Sequence, residues 1–153
     1  MAKMVNKAMG FFSKKECKKI IDYFKSNKDK IKQWNNTFLL QDEKIPFRDK
    51  LIDFVTKQHN VKFNYLQVVK WPDGSFMENH YDGEAVEEND YTCICYLNSN
   101  YKGGRTIVEN KFIKNNIGDF IFFNSKKILH GVEQVKGTRY TMISWYQKTN
   151  GYR

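Results

Sequence analysis

The sequence predicts a mainly β fold with N-terminal helices packed on one sheet, an α+β arrangement, on three observations. Apolar residues recur at helical spacing in two stretches before residue 60. From Val61 onward, short alternating or β-branched runs are separated by turn signals such as Pro72-Asp73-Gly74 and Lys136-Gly137-Thr138. Finally, 153 residues with 41% hydrophobic and 16% aromatic content can bury a core without disulfides. We expect one domain spanning 1–153, with a mostly helical preface at 1–60 and a β core at 61–149.

In the preface, Ser13-Lys14-Lys15-Glu16 reads as a capping box, in which the serine side chain and the glutamate side chain each accept from the other's backbone N–H. Behind it Cys17, Ile20, Ile21 and Phe24 form one apolar stripe. Met9, Phe11 and Phe12 ahead of the cap suggest a short strand or staple, and Trp34 to Leu40 another strand. A second helix is expected from about Pro46, a residue tolerated in a first turn, through Phe47, Leu51, Ile52, Phe54 and Val55 to His59-Asn60. This region reads as scaffold, with His59 at a helix end or on the surface.

The expected strands are Val61–Trp71, Phe76–Asp82, Tyr91–Leu97, Arg105–Val108, Asp119–Phe123, Ile128–Val135 and Arg139–Gln147. Short strands at this spacing suggest a sandwich or barrel. The net charge of +9 is almost all lysine, since arginine occurs only at Arg48, Arg105, Arg139 and Arg153. Lysines scattered through most segments argue against a nucleic-acid partner, which would need a basic patch with base-reading groups. Cys17, Cys93 and Cys95 lack zinc-site spacing and read as buried hydrophobes of a reducing compartment. No apolar run reaches membrane-spanning length and the N-terminus lacks a signal peptide's apolar stretch, so we expect a soluble, cytoplasmic monomer.

Chemistry concentrates at His80 and Asp82. On an extended strand, residues two apart face the same way, so imidazole and carboxylate can grip one metal ion. His130 offers a third ligand. Two histidines and one carboxylate with open positions suit non-haem iron(II), and a site of this kind inside short strands favours a double-stranded β-helix (jelly roll). The segment His130 to Arg139 reads as a hairpin returning Arg139 beside the histidine strand. Beyond it Arg139, Thr141, Ile143 and Trp145 share one face, while Tyr140, Met142, Ser144 and Tyr146 share the other. An arginine on an apolar face requires a carboxylate partner, and a bound dicarboxylic acid would supply one bidentately.

From about Val61 to Tyr146 the motifs appear in a familiar order: His-x-Asp, Tyr-Leu-Asn ending a strand, Gly-Gly, Gly-Asp-Phe-Ile-Phe-Phe, His-Gly-Val, then Gly-Thr-Arg-Tyr and a following Trp. This resembles the 2-oxoglutarate- and iron(II)-dependent oxygenases, in their prolyl 4-hydroxylase-like branch, and most of all the hypoxia-sensing prolyl hydroxylases of animals. The likeness to that type lies in Thr-Cys-Ile-x-Tyr-Leu-Asn and the nine-residue step from His130 to Arg139. The resemblance implies a dioxygenase that hydroxylates an unactivated C–H, foremost of a prolyl residue in a peptide or protein. It implies Fe(II) and 2-oxoglutarate as cofactors, dioxygen as co-substrate and ascorbate as an accessory reductant. Carried over, His80, Asp82 and His130 match iron ligands, Arg139 and Tyr96 bind the distal carboxylate of 2-oxoglutarate, and Thr141 stands where relatives have a serine. Trp145 matches a residue near the prime substrate. If Tyr96 faces inward, so do Thr92 and Ile94, and both strand cysteines face away.

The chain departs from the family at Trp71 and Met77, where relatives carry tyrosines, and at Asn89, where some prolyl hydroxylases place a substrate-contacting arginine. Trp71 can donate but not accept a hydrogen bond. Other targets remain open: a free amino acid, a lysine or arginine side chain, a nucleic-acid base, or none in a non-catalytic jelly-roll binding module. Demethylases of bases carry a second arginine where this chain has Trp145. The stretch from Asp82 to Asp90, with Glu84, Glu87 and Glu88 and no base, suggests guidance of a basic peptide.

Overall fold

The computed structural model describes residues 5–82, 89–114 and 116–149. Glu84, Glu87 and Glu88 of the acidic stretch lie outside these residues. In chain order the elements are β1 (Val5–Ala8), α1 (Lys14–Ser26), a 3-10 turn (Lys28–Lys30), β2 (Ile31–Trp34), β3 (Thr37–Leu40) and α2 (Arg48–His59). There follow β4 (Val61–Trp71), β5 (Met77–His80), β6 (Tyr91–Tyr96), β7 (Lys102–Gly103), β8 (Thr106–Val108) and β9 (Lys111–Ile113). The last four are β10 (Phe120–Phe123), β11 (His130–Val132), β12 (Val135–Lys136) and β13 (Arg139–Lys148).

Both halves of the capping box form at α1. Glu16 N donates to Ser13 Oγ at 3.1 Å, and Ser13 N donates to Glu16 Oε1 at 3.0 Å. The stripe then buries Cys17, Ile20 and Phe24. α2 begins two residues after Pro46, because Phe47 adopts a left-handed conformation (φ 62°) that breaks the helical path. It buries Leu51, Ile52 and Val55. The N-terminal strand runs over Val5–Ala8 rather than Met9–Phe12, and Phe12 instead enters the core. The stretch expected as one strand over Trp34–Leu40 is the second half of a hairpin, turning at Asn35 (φ 53°).

Two sheets face each other in a jelly roll. The larger has the order β1-β10-β6-β13-β4-β3-β2, the smaller β5-β11-β8-β9, and β12 with β7 forms a short ribbon. All these pairings are antiparallel. Alternation divides the large sheet's side chains between two cores. Leu66, Val68, Cys93, Cys95, Met142 and Tyr146 meet the helices, while Val69, Trp71, Ile94, Tyr96 and Ile143 face the small sheet. His59 is half-buried and stacks on Phe122, its ring 4.0 Å away, which makes it part of the helix–sheet contact.

One expectation fails here. His130 and Arg139 are not on one hairpin: β11 belongs to the small sheet, β13 to the large one, and β12 between them pairs with β7. The two side chains come together across the interior, not along a ladder.

Cys93 and Cys95 face the helices, as the inward Tyr96 requires. Burial pushes the Cys17 thiol up to about 11 and raises the Cys93 and Cys95 thiols well above their ordinary value. A thiolate is the reactive form. The folded protein should therefore resist a thiol-specific reagent at pH 8 and take it up at three sites after denaturation, as mass spectrometry would count.

Candidate metal centre and its groove

β5 and β11 lie side by side with His130 opposite His80. Each ring is oriented by its own strand. His80 Nδ1 lies 2.8 Å from Glu78 O, and His130 Nδ1 lies 2.8 Å from Ile128 O. Donation to these carbonyls places the proton on Nδ1 and leaves the Nε2 lone pair free for a metal. Asp82 lies just past the end of β5, so strand alternation is not what aims it. Its position comes instead from Asp82 N donating to Ser125 O at 2.9 Å. Asp82 Oδ1 then sits 3.2 Å from Nε2 of each histidine. One ligand atom from each of the three falls within a 4.8 Å cluster, a donor set able to hold a metal ion. Burial opposes ionisation of Asp82, but the two facing imidazoles and the Thr92 hydroxyl outweigh it and hold the carboxyl well below the usual carboxylate range.

Close approach of β5 and β11 depends on Gly131. A Cβ there would lie 2.5 Å from Asn79 Oδ1 and 2.8 Å from Met77 O. Met77 O is backbone of the strand bearing His80 and cannot swing aside. Gly131→Ala is therefore expected to spread the histidines, weakening metal binding at least tenfold. Titration with Mn(II) would read this, alongside a melting curve.

Deeper in, the cavity between the sheets closes over Arg139, which has no exposed surface. Its guanidinium lies 4.8 Å from the Trp71 ring centre and 5.7 Å from that of Tyr96. Nη2 donates to Thr106 Oγ1 at 3.2 Å, and Thr106 Oγ1 is 2.6 Å from the Tyr96 hydroxyl. Nε and Nη1 have no hydrogen-bond partner among the described residues. A buried cation in this condition calls for an anion. Burial pushes the Tyr96 phenol well above its ordinary value against the pull of Arg139, so it stays a neutral hydroxyl. Thr141, fully buried beside Tyr96 on the neighbouring strand, accepts from Trp71 Nε1 at 3.1 Å.

Arg139, Thr106, His80, Asp82 and His130 thus border one inner cavity of about 80 Å³. Thr141 backs it through Trp71. Outside it, a groove of about 570 Å³ runs from His80 and Asp82 past Trp71, Tyr65 and Trp145 to Trp34 on the β2–β3 hairpin. A β-bulge shapes its wall. Trp145 pairs with Tyr65 and Tyr146 with Phe63, so Asn64 is an extra residue in β4. Phe63 packs toward the helices, while Tyr65 turns to the groove and stacks on Trp145 at 4.6 Å. Met77 and Asn89 also border this groove, with Asn89 Nδ2 donating to Tyr65 OH at 2.9 Å. The sequence brings forward every residue of the metal-binding trio and Arg139, but not Thr106, Ser125 or Tyr65. These three carry no local motif and become visible only when the strands pair.

No curated protein sequence matches the chain. Among solved structures, the viral collagen prolyl hydroxylase of Paramecium bursaria Chlorella virus-1, in its 2OG complex, superposes with a TM-score of 0.73 at 21% identity. That match covers 95% of this chain and 96% of the viral one. A Pseudomonas putida prolyl-4-hydroxylase gives a TM-score of 0.76 at 12% identity, covering 97% and 94%. A Trichoplax adhaerens prolyl hydroxylase, in complex with a hypoxia inducible factor peptide fragment, gives 0.73 at 17%, covering 94% and 83%. These likenesses establish the fold. No helix among the described residues is long and apolar enough to cross a membrane. The family model of the 2OG-Fe(II) oxygenase superfamily matches residues 66–147, more than half of the chain, from the middle of β4 almost to the end of β13. With that match the chain belongs to the 2OG-Fe(II) oxygenase superfamily, as a dioxygenase dependent on iron(II) and 2-oxoglutarate.

Proposed function

We propose that the chain hydroxylates a prolyl residue within a peptide or protein. His80 Nε2, His130 Nε2 and Asp82 Oδ1 are the iron ligands in this reading, and Arg139 receives the distal carboxylate of 2-oxoglutarate. The observation that carries it is the pairing, in one inter-sheet cavity, of this donor set with a buried guanidinium whose Nε and Nη1 are unpartnered among the described residues. Two imidazoles and a carboxylate suit iron(II), and a carboxylate suits the guanidinium fork. When bound, iron(II) and 2-oxoglutarate supply the oxidation that replaces C–H by C–OH, with dioxygen consumed and succinate and carbon dioxide released.

The chain's own residues do the rest. Tyr96 and Thr106 supply neutral hydroxyls beside Arg139, and Thr141 fixes Trp71, whose ring walls the pocket. The two carbonyls facing Nδ1 keep both histidines in the metal-binding tautomer. Apolar walls from Val69, Ile94, Val132 and Ile143 exclude water from the reacting centre. Trp145, Tyr65 and Trp34 line the outer groove, whose volume of about 570 Å³ suits a peptide better than a free amino acid. Among the described residues, those lining the groove include no lysine or arginine, which speaks against a nucleic-acid strand. Fold likeness to prolyl hydroxylases supports the choice of proline.

Succinate release, compared between proline-containing peptides and free amino acids with ascorbate as reductant, tests this. Peptides should stimulate release with hydroxyproline formed in equal amount. Stimulation only by free amino acids, or by peptides without proline, would contradict the reading.

A further inference from the structure

We infer that Trp145 and Thr92 are positioning residues for the carboxylate of Asp82, holding its second oxygen so that only Oδ1 is offered to the metal. This rests on the proposed metal site. Oδ1 faces both histidines, whereas Oδ2 is turned the other way into two donors. Thr92 Oγ1 donates to Oδ2 at 2.9 Å, and Trp145 Nε1 donates to it at 3.3 Å. The threonine hydroxyl is itself held, since Ser125 Oγ lies 2.6 Å away and is fully buried. A hydroxyl has one proton. Donation to Asp82 therefore leaves the Thr92 oxygen to accept from Ser125. Ser125 acts twice, because its backbone oxygen also receives Asp82 N.

The clamp has a mechanical consequence. A carboxylate free to rotate can bind a metal through one oxygen or both, and binding through both would occupy a position that the chemistry needs open. Three constraints (two donors on Oδ2 and the anchored backbone N–H) fix the rotation. The indole that supplies one donor also stacks on Tyr65, which accepts from Asn89, and all three line the outer groove. Trp145 thereby joins the groove wall to a metal ligand. The family resemblance implies a place near substrate; its N–H adds a role in the metal centre.

Mn(II) titration, followed by the loss of the free-ion electron paramagnetic resonance signal, tests the clamp without turnover. Loss of a hydrogen-bonding partner of a ligand typically costs about 10–100-fold in metal affinity. Thr92→Val and Trp145→Phe should each weaken Mn(II) binding about tenfold or more, with melting temperatures near that of the wild type. Thr92→Ser, which keeps the hydroxyl, should restore the wild-type affinity. Wild-type binding with variants unchanged within twofold overturns the clamp and leaves the metal site standing. Equal weakening in Thr92→Ser and Thr92→Val would assign the effect to packing and likewise overturn it. Failure of the wild type to bind Mn(II) would overturn the metal site, and the clamp with it.

Discussion

Replacing Asp82 by alanine is expected to abolish turnover. Asp82 is the single carboxylate in the cluster with His80 and His130, and its Oδ1 is 3.2 Å from both Nε2 atoms. Without it two imidazoles remain in the cluster, with no carboxylate among the described residues of the cluster to offset a divalent ion. The substitution also strips the Thr92 hydroxyl and the Trp145 N–H of a partner. Losing a partner of a ligand costs about 10–100-fold in affinity or activity, and losing the ligand itself should exceed that range. Succinate formation measured with saturating iron(II) should fall to the level without enzyme. Turnover within tenfold of the wild type would remove Asp82 from the metal.

Arg139→Met is expected to weaken 2-oxoglutarate binding by about two to three and a half orders of magnitude. The figure follows from the roughly 3–5 kcal/mol lost when one partner of a buried charge pair is removed. A second effect has the opposite sign. Without ligand, the guanidinium is a fully buried cation relieved by the Trp71 and Tyr96 faces and one hydroxyl. An apolar side chain of similar length removes that desolvation burden, so the ligand-free variant should melt no lower than the wild type. The wild type should gain stability as 2-oxoglutarate is added in the presence of Mn(II), since ligand binding to the folded state raises its stability. The variant should gain none. A variant that loses stability without ligand yet keeps the ligand-induced rise would make Arg139 a structural residue instead.

Local patterns in the sequence locate much of this molecule. β4 runs over the expected Val61–Trp71, and the alternation of β13 correctly divides Arg139, Thr141 and Ile143 from Tyr140, Met142 and Tyr146. These strands are long and have one face on each of two cores, so period-two patterning is strong. β1 and β2 are not legible because they are short edge strands whose residues are all half-buried or exposed, which leaves no clear alternation to read. What failed more deeply was long-range placement. A turn at Gly137 predicts a reversal of direction, but nothing local says that β11 and β13 enter different sheets. Asp82 reached the cluster through a backbone bond to Ser125, not through the strand alternation that first suggested it. The bulge at Asn64, which turns Tyr65 toward the groove, has no signature in the alternation of β4 read alone. Residues whose role depends on a partner some 30 or more positions away, such as Ser125 with Thr92 and Thr106 with Arg139, are silent until the fold is known.

The central claim is that one cavity holds a metal at His80, Asp82 and His130 together with 2-oxoglutarate at Arg139. Anaerobic titration of the protein with iron(II) and 2-oxoglutarate tests it directly, because a 2-oxo acid chelated to iron(II) absorbs visible light. The account predicts a visible band that needs both components, disappears in Asp82→Ala and requires far more 2-oxoglutarate in Arg139→Met. Absence of the band in the wild-type protein, or a band of equal strength and 2-oxoglutarate dependence in both variants, would contradict it.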